Sequence, residues 1–336
     1  MQLSIVIVCY GEDLSRLLAE VGAQRAAGDE VIVVDNKASA GGTAGIRDHP
    51  EVDCVVDSPG NLGFPPAVNL GARAATRDVL LLLNPDAIPA PGCFEALRRP
   101  PASYVAWMGV VTLPGGDRVN TAGGESHYLG FSWVGGLGEP VAELPRDPYH
   151  ACFISGACLA VRLDVWREMG GFPDHFFLYF DDVDLSHRLR LAGRDFGVVP
   201  AAQVEHDYVF DKGNRKWRNL ERNRWATVIR TYPSALLVLV LPALVLAEVG
   251  LLGVAVKGGW ASAKLQSWLD VLRWLPRAAP ERRRVQETSA VSAREFAEAL
   301  TPRLNSPLFG AVGRSRFVNA VLRAYWRIVV ALLPRS

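Results

Sequence analysis

Along the N-terminal part of the chain, short apolar runs alternate with longer polar stretches. LSIVIVC at residues 3–9, VIVV at 31–34, DCVV at 53–56 and VLLLL at 79–83 are β-branched or leucine-rich. Strands buried on both faces have this pattern, and the stretches at about 13–27 and 65–76 predict helices between them. The alternation predicts an α/β fold with a Rossmann-like, mostly parallel sheet flanked by helices, whose ligands sit at the carboxyl ends of the strands. Residues 101–150 are Gly- and Pro-rich, and predict loops with short strands.

The apolar runs stop at Cys9-Tyr10-Gly11, Asp35-Asn36, Asn61-Leu62-Gly63-Phe64 and Asn84-Pro85-Asp86, each a polar side chain or a glycine. From Ala151, CFISGACLAVR predicts a strand, Leu163 to Met169 a helix and Gly170-Gly171-Phe172-Pro173 a turn. FFLYFDDVDLSHRLRLAG then leads an apolar approach into three aspartates that open a helix ended by Gly193.

Charge divides the chain. Residues 1–212 carry 16 Lys and Arg against 28 Asp and Glu, whereas 213–336 carry 20 against 7. Two domains are expected, an α/β domain over 1–212 and a basic, apolar helical region over 213–336 that associates with membrane. The basic half holds a Trp- and Arg-containing helix at 214–230, then 22 residues from Ala235 to Val256 with Glu248 as their only charge. That length can span a bilayer. Amphipathic stretches at 260–275 and 317–333, and arginines at 277 and 282–284, fit an interfacial helix equally well. A buried core helix or a homo-oligomer interface is the soluble alternative. Arginines interleaved with Leu, Val and Trp suit an anionic lipid surface better than a nucleic acid. Five cysteines without a C-x-x-C spacing read as reduced, and the N-terminus lacks the basic n-region of a signal peptide, which places the chain at the cytoplasmic face of the cell membrane.

Among chemical motifs, G-x-G-x-x-G after the first strand, the P-loop, H-E-x-x-H and G-x-S-x-G are all absent, which weighs against dinucleotide redox enzymes, P-loop NTPases, zincins and α/β-hydrolases. What remains is acidic. Asp86 ends a strand, where a carboxylate can hold a divalent cation against nucleotide phosphates, although Asn-Pro-Asp is also good turn chemistry. Asp181, Asp182 and Asp184 crowd one helix start, more acids than capping needs, so a cation or a proton-transfer role is expected there. His206, after the run FGVVPAAQV, is an imidazole suited to Mn²⁺ or Mg²⁺ beside carboxylates.

The motifs SIVIVCYG, VIVVDN, NLGF followed by Asn69, LLLNPDA, FISGACLAVR, GGFPDHFFLYFDDVDLSHRLRLAG and ERNRWATVIRTYP occur in this order over residues 3–232. Together they resemble the inverting family 2 glycosyltransferases of the GT-A fold, especially the rhamnosyltransferase-like branch of bacterial cell-wall polysaccharide assembly. The resemblance assigns Cys9, Tyr10, Asp35, Asn61, Asn84 and Asp86 to a nucleotide-sugar donor, with Asp35 on the base. Asp86 and His206 would hold Mn²⁺ or Mg²⁺. Asp182 would be the catalytic base with Asp181 beside it, and Gly156 would lie near the acceptor, a polyprenyl-diphosphate-linked glycan. Asn84 stands in place of the family's first metal-site aspartate and Asp181 in place of its usual glutamate. L-Rhamnose from dTDP-rhamnose is the donor so implied; a UDP- or GDP-sugar, or an inactive scaffold of the same fold, are the alternatives. Arg222 and Arg224 could reach phosphates or line a solvated, lipid-facing helix.

Overall fold

The computed structural model describes residues 1–37, 45–207, 213–306 and 309–334. Lys212, where the sequence divides by charge, lies outside the described residues. The strands are β1 (Leu3–Cys9), β2 (Glu30–Asp35), β3 (Cys54–Asp57), β4 (Val79–Leu83), β5 (Ala87–Pro89), β6 (Tyr104–Thr112), β7 (Val119–Thr121), β8 (Gly124–Ser126), β9 (Ser132–Val134), β10 (Tyr149–His150), β11 (Cys158–Arg162) and β12 (Asp195–His206). The helices are α1 (Ser15–Gln24), α2 (Phe64–Ala74), α3 (Cys93–Leu97), α4 (Leu163–Met169), α5 (Asp181–Leu191), α6 (Gly213–Thr231), α7 (Ser234–Lys257), α8 (Ala261–Glu287), α9 (Ala293–Glu298), α10 (Gly310–Arg314) and α11 (Arg316–Leu332).

Contacts divide the chain into two compact units. The first comprises Met1–Gly124, Val134–Ser186 and Arg194–Phe210; the second comprises Glu125–Trp133, His187–Gly193 and Asp211–Ser336. The first is built on a sheet ordered β10-β12-β6-β11-β4-β1-β2-β3, with β5 on β12 and β7 on β6. β3, β2, β1 and β4 run parallel, and every residue of β1 and β4 is buried because β-branched and leucine side chains fill both faces. β11 enters antiparallel between β4 and β6, so the sheet is mixed although mostly parallel. β1 has β2 on one side and β4 on the other, which makes their carboxyl ends a topological switch point, the place where open α/β sheets bind ligands. Helix α2 lies close against β1 and β2 because residue 71 is glycine: a Cβ there would stand 2.7 Å from Val34 Cγ2 and Val6 Cγ1.

The second unit is helical. Its interior holds an ion quartet in which Arg224 and Lys264, 1% and 0% exposed, each meet both Glu221 and Glu248. Arg224 also donates to the Leu129 carbonyl at 3.1 Å, and Trp268 Nε1 donates to Glu248 at 2.5 Å. Arg224 therefore neither faces solvent or lipid nor stands free for a phosphate, which corrects the sequence-based expectation. Its charge is consumed by two carboxylates that Lys264 alone would leave with an uncompensated negative charge. Arg222 is half-buried and donates to Asn223 Oδ1 at 2.8 Å.

Helix α8 runs on through Pro276 and Pro280 to Glu287, past the amphipathic stretch at 260–275. Tertiary anchoring outweighs the lost backbone bonds: Arg282 donates to the Tyr232 carbonyl at 2.8 Å, Gln286 to the Arg230 carbonyl at 3.0 Å, and Arg230 pairs with Glu281 at 3.3 Å. Helix α7 is long and apolar enough to cross a membrane by length and composition. It is not a buried core helix, since only 22% of its most apolar stretch is buried and Val238 and Leu246 are 69% and 73% exposed.

Candidate active site

The polar strand ends converge at the carboxyl edge of the sheet in the first unit. The antiparallel pairing of β12 with β5 sets His206 opposite Ala87, next to Asp86, which is 120 positions away in sequence. His206 Nε2 lies 2.9 Å from Asp86 Oδ1 and 3.4 Å from Asn84 Nδ2. The imidazole is buried, whereas the Asp86 side chain keeps 45% of its exposure, so the pair opens outward from the sheet. Antiparallel pairing of β11 with β4 then brings the loop before β11 alongside: the Asn84 N–H donates to the Ala157 carbonyl at 3.1 Å. Gly156, one residue earlier, donates its N–H to Asp182 Oδ2 at 3.2 Å.

Three devices aim Asp182. Tyr179 and Phe180 adopt left-handed backbone conformations, with φ of 72° and 68°, and turn the chain sharply into α5. Such conformations in bulky residues cost about 1–3 kcal/mol each and mark places where geometry is imposed. Ser186, buried one turn into α5, donates to the Asp182 carbonyl at 2.7 Å and accepts the Ile154 N–H at 3.1 Å, which ties the helix to the loop carrying Gly156. Finally, the Phe64 N–H donates to the Phe177 carbonyl at 2.9 Å, across a contact that only glycine at 63 permits. Gly63 has φ +83°, and a Cβ there would lie 2.2 Å from the Phe177 oxygen.

The electrostatics separate the two acids. Burial pushes the Asp181 carboxyl well above the carboxylate range, and the charges of Asp182 and Asp184 push it further. Burial also raises Asp182, but the N–H groups of Gly156 and Val183 bond its oxygens and oppose the rise. Asp181 is 5% exposed while Asp182 is only half-buried. Of the pair, Asp181 thus retains its proton longer and Asp182 is the accessible carboxylate.

At the ends of β1 and β2 the expected donor residues gather less evenly. Tyr10 is 47% exposed, with Lys37 Nζ 5.5 Å from its ring centroid, and offers an aromatic face. Asp35 is buried and accepts the Lys37 N–H at 3.0 Å. Cys9 is fully buried; its thiol points at the Glu12 carbonyl and its own carbonyl accepts the Asn36 N–H, so it shapes the turn rather than presenting sulfur. Asn61 is exposed and its Oδ1 accepts the Gly63 N–H at 2.9 Å.

Two positioning residues were visible only as motif letters. Asn36, buried, accepts the Leu62 N–H at 3.0 Å and donates to the Gly63 carbonyl at 3.3 Å, so it holds the NLGF turn against the end of β2. Asn69 bridges α2 to the GGFPD turn, accepting the Phe172 N–H at 2.9 Å and donating to the Phe172 carbonyl and to Asp174 Oδ1 at 2.8 Å each. The signal for Asn36 was a polar residue directly after a buried strand, and for Asn69 a buried-face position on a helix that carries an amide.

Residues 4–164 match the model of the glycosyl transferase family 2. Those residues, just under half of the chain, are a family 2 glycosyltransferase domain. This glycosyltransferase is 28% identical over 268 residues to the N-acetylglucosaminyl-diphospho-decaprenol L-rhamnosyltransferase of Mycobacterium tuberculosis, spanning 68% of this chain and 83% of that one. It is 25% identical over 224 residues to a low-salt glycan biosynthesis hexosyltransferase of Haloferax volcanii, spanning 62% and 68%. Among solved structures, that of GalNAc-T7 with UDP, GalNAc and Mn²⁺ superposes with a TM-score of 0.57 at 17% identity, over 70% of this chain and about half (48%) of that chain. The shared fold is GT-A. Among the described residues of the glycosyltransferase, no group of three or more His, Cys, Asp or Glu side chains could hold a metal ion unaided. The carboxylate oxygen of Asp86 and the imidazole nitrogen of His206, 2.9 Å apart, nevertheless suit a divalent cation, which would need further oxygen ligands from outside the chain.

Proposed function

We propose that this glycosyltransferase moves one sugar, L-rhamnose from dTDP-rhamnose, onto a membrane-bound glycan carried by polyprenyl diphosphate, in a single displacement that inverts the anomeric carbon. The mycobacterial relative, an N-acetylglucosaminyl-diphospho-decaprenol L-rhamnosyltransferase, supports the sugar and the acceptor class. The observation that carries the reading is the meeting, along one sheet edge, of the Asp86–His206 pair with a half-buried Asp182 that accepts the Gly156 N–H.

In this reading Tyr10, Asp35 and Asn61 receive the nucleotide at the ends of β1 and β2, with Asp35 on the base and Tyr10 offering its ring. Asn84 lies beside the diphosphate. Asp86 and His206 would hold Mn²⁺ or Mg²⁺. When bound, such a cation offsets negative charge on the departing diphosphate as a Lewis acid. Asp182 accepts the proton of the acceptor hydroxyl as its oxygen attacks C1, because an alcohol is a poor nucleophile at neutral pH. A raised pKa suits that role, bringing the base closer to the working pH than an ordinary aspartate. Asp181 beside it, raised further by burial and by the neighbouring acids, gives up its proton less readily than Asp182. Gly156 fixes the base through its N–H and leaves room for the acceptor, since a Cβ there would make only ordinary contacts. The helical unit, with its basic excess, attaches the enzyme to an anionic membrane surface on the cytoplasmic side, where polyprenyl-linked acceptors and nucleotide sugars meet.

Metal dependence tests the carrying observation. Transfer should cease in excess EDTA and return with Mn²⁺ or Mg²⁺, and Asp86→Ala should lower the rate at least about 100-fold, the scale of losing one key charge-stabilising group. Full activity in excess chelator would refute the assignment of Asp86 and His206.

A further inference from the structure

We infer that α7, α8 and α11 present one apolar surface that lies within a single leaflet of an anionic membrane, and that α7 does not cross the bilayer. The inference deepens the membrane attachment proposed above and rests on it. Helix α7 has two unlike faces. Leu236, Val240, Leu244 and Glu248, four residues apart, are buried, while Val238, Val245, Leu246 and Val249 are exposed on the other side. A helix that crossed lipid by itself would have to turn Glu248 toward hydrocarbon or supply it with a partner inside the bilayer.

In this chain the partners are Arg224 on α6 and Lys264 on α8, both almost wholly buried, and each is shared with Glu221. Drawing α7 across a bilayer would either break the quartet and leave charges buried unpaired, or drag α6, rich in Arg, Lys and Asn, into hydrocarbon. The ion quartet therefore fastens α7 laterally to the helical unit, and its outward face remains free for lipid.

Its neighbours α8 and α11 expose apolar side chains as well. Leu265, Leu269 and Leu272 are exposed on α8, and Phe317, Ile328 and Leu332 on α11. Exposed arginines on α8 at 273, 277, 283 and 284, within a stretch of 20 basic and 7 acidic residues, complement anionic headgroups. Apolar side chains inserted to the acyl boundary with basic residues at headgroup level are the chemistry of an in-plane anchor.

The test uses the full chain added to preformed vesicles of phosphatidylglycerol and phosphatidylcholine. Ser234→Cys and Lys257→Cys, at opposite ends of α7, are labelled with a membrane-impermeant maleimide, and the parent chain supplies the background from its native cysteines. Both sites should label equally from outside. Leu246→Asp combined with Val249→Asp should lower the vesicle-bound fraction at least about tenfold, while transfer to a detergent-dispersed acceptor stays at the parent level. Labelling of one site only, until the vesicles are opened, would show a spanning helix and overturn the inference. A chain that stays off vesicles and is a monodisperse monomer or dimer without detergent would overturn it as well. Vesicle binding by a parent chain that transfers no sugar would instead count against the proposed function and leave the in-plane anchor standing.

Discussion

Replacing Asp182 by asparagine removes proton acceptance and little else. The asparagine oxygen can still accept one of the two N–H groups, Gly156 or Val183, that the carboxylate now bonds. One hydrogen bond lost at a half-buried position costs about 0.5–1.5 kcal/mol, too little to unfold a domain of this size. A positioned general base contributes about 10²- to 10⁴-fold to rate. Asp182→Asn should therefore lower turnover by that factor with the donor still bound, read by initial rates of sugar transfer and by calorimetric titration with the nucleotide sugar. Asp181→Asn mimics the protonated form that burial and its charged neighbours favour, so it should cost less than about tenfold. In the parent enzyme the rate should rise with pH as Asp182 loses its proton, along a limb displaced upward from that of an ordinary aspartate. A dead Asp181→Asn beside an active Asp182→Asn would refute the assignment and exchange the roles of the two acids.

Two further outcomes follow from the same contacts. Because the folded-state pKa of Asp181 is raised, its proton favours the folded state; that contribution is complete below the ordinary carboxylate range and is lost as pH rises through the raised value. Asp181→Asn should therefore raise Tm at pH 8 and change it little at pH 4, and an equal Tm shift at both would contradict the buried, protonated assignment. Asn69→Leu removes three hydrogen bonds of 2.8–2.9 Å and strands the buried Phe172 backbone; urea unfolding should report a loss of about 2–4 kcal/mol, and a loss under about 0.5 kcal/mol would show that Asn69 does not hold the GGFPD turn.

The parallel strands β1, β2 and β4 were legible because each is an apolar run, interrupted only by the small Ser4 in β1, and burial on both faces suits that pattern. β11 was legible as a strand, but its antiparallel sense was not, since direction is set by how residues 113–157 return to the sheet and no periodicity encodes that. Asp86 was legible by its place after four leucines. Its meeting with His206 was not readable from spacing, because it depends on β5 pairing with β12 across 120 positions; the family resemblance supplied that pairing in advance. Arg224 misled: a basic residue in a basic helix reads as exposed, and only the inward turn of Glu248 in the following helix reveals where its charge goes. The amphipathic stretch read at 260–275 falls short of α8 for a similar reason, since the contacts that carry the helix on to Glu287 come from α6, Tyr232 and the start of α7. Asn36, Asn69 and Ser186 act through backbone groups of other segments, a role that residue type alone does not disclose.

The central claim is that this chain transfers a sugar from a nucleoside diphosphate to a polyprenyl-diphosphate-linked glycan, and a direct transfer assay tests it. The detergent-solubilised full chain is incubated with Mn²⁺ and N-acetylglucosaminyl-diphospho-polyprenol, each of dTDP-rhamnose, UDP- and GDP-sugars is offered in turn, and the extracted lipid is weighed by mass spectrometry. A lipid product heavier by one deoxyhexose is expected with dTDP-rhamnose, lost with EDTA and lost with Asp182→Asn. A product only with a UDP- or GDP-sugar would contradict the rhamnosyl assignment, and no product with any donor, from a folded chain, would contradict the claim itself.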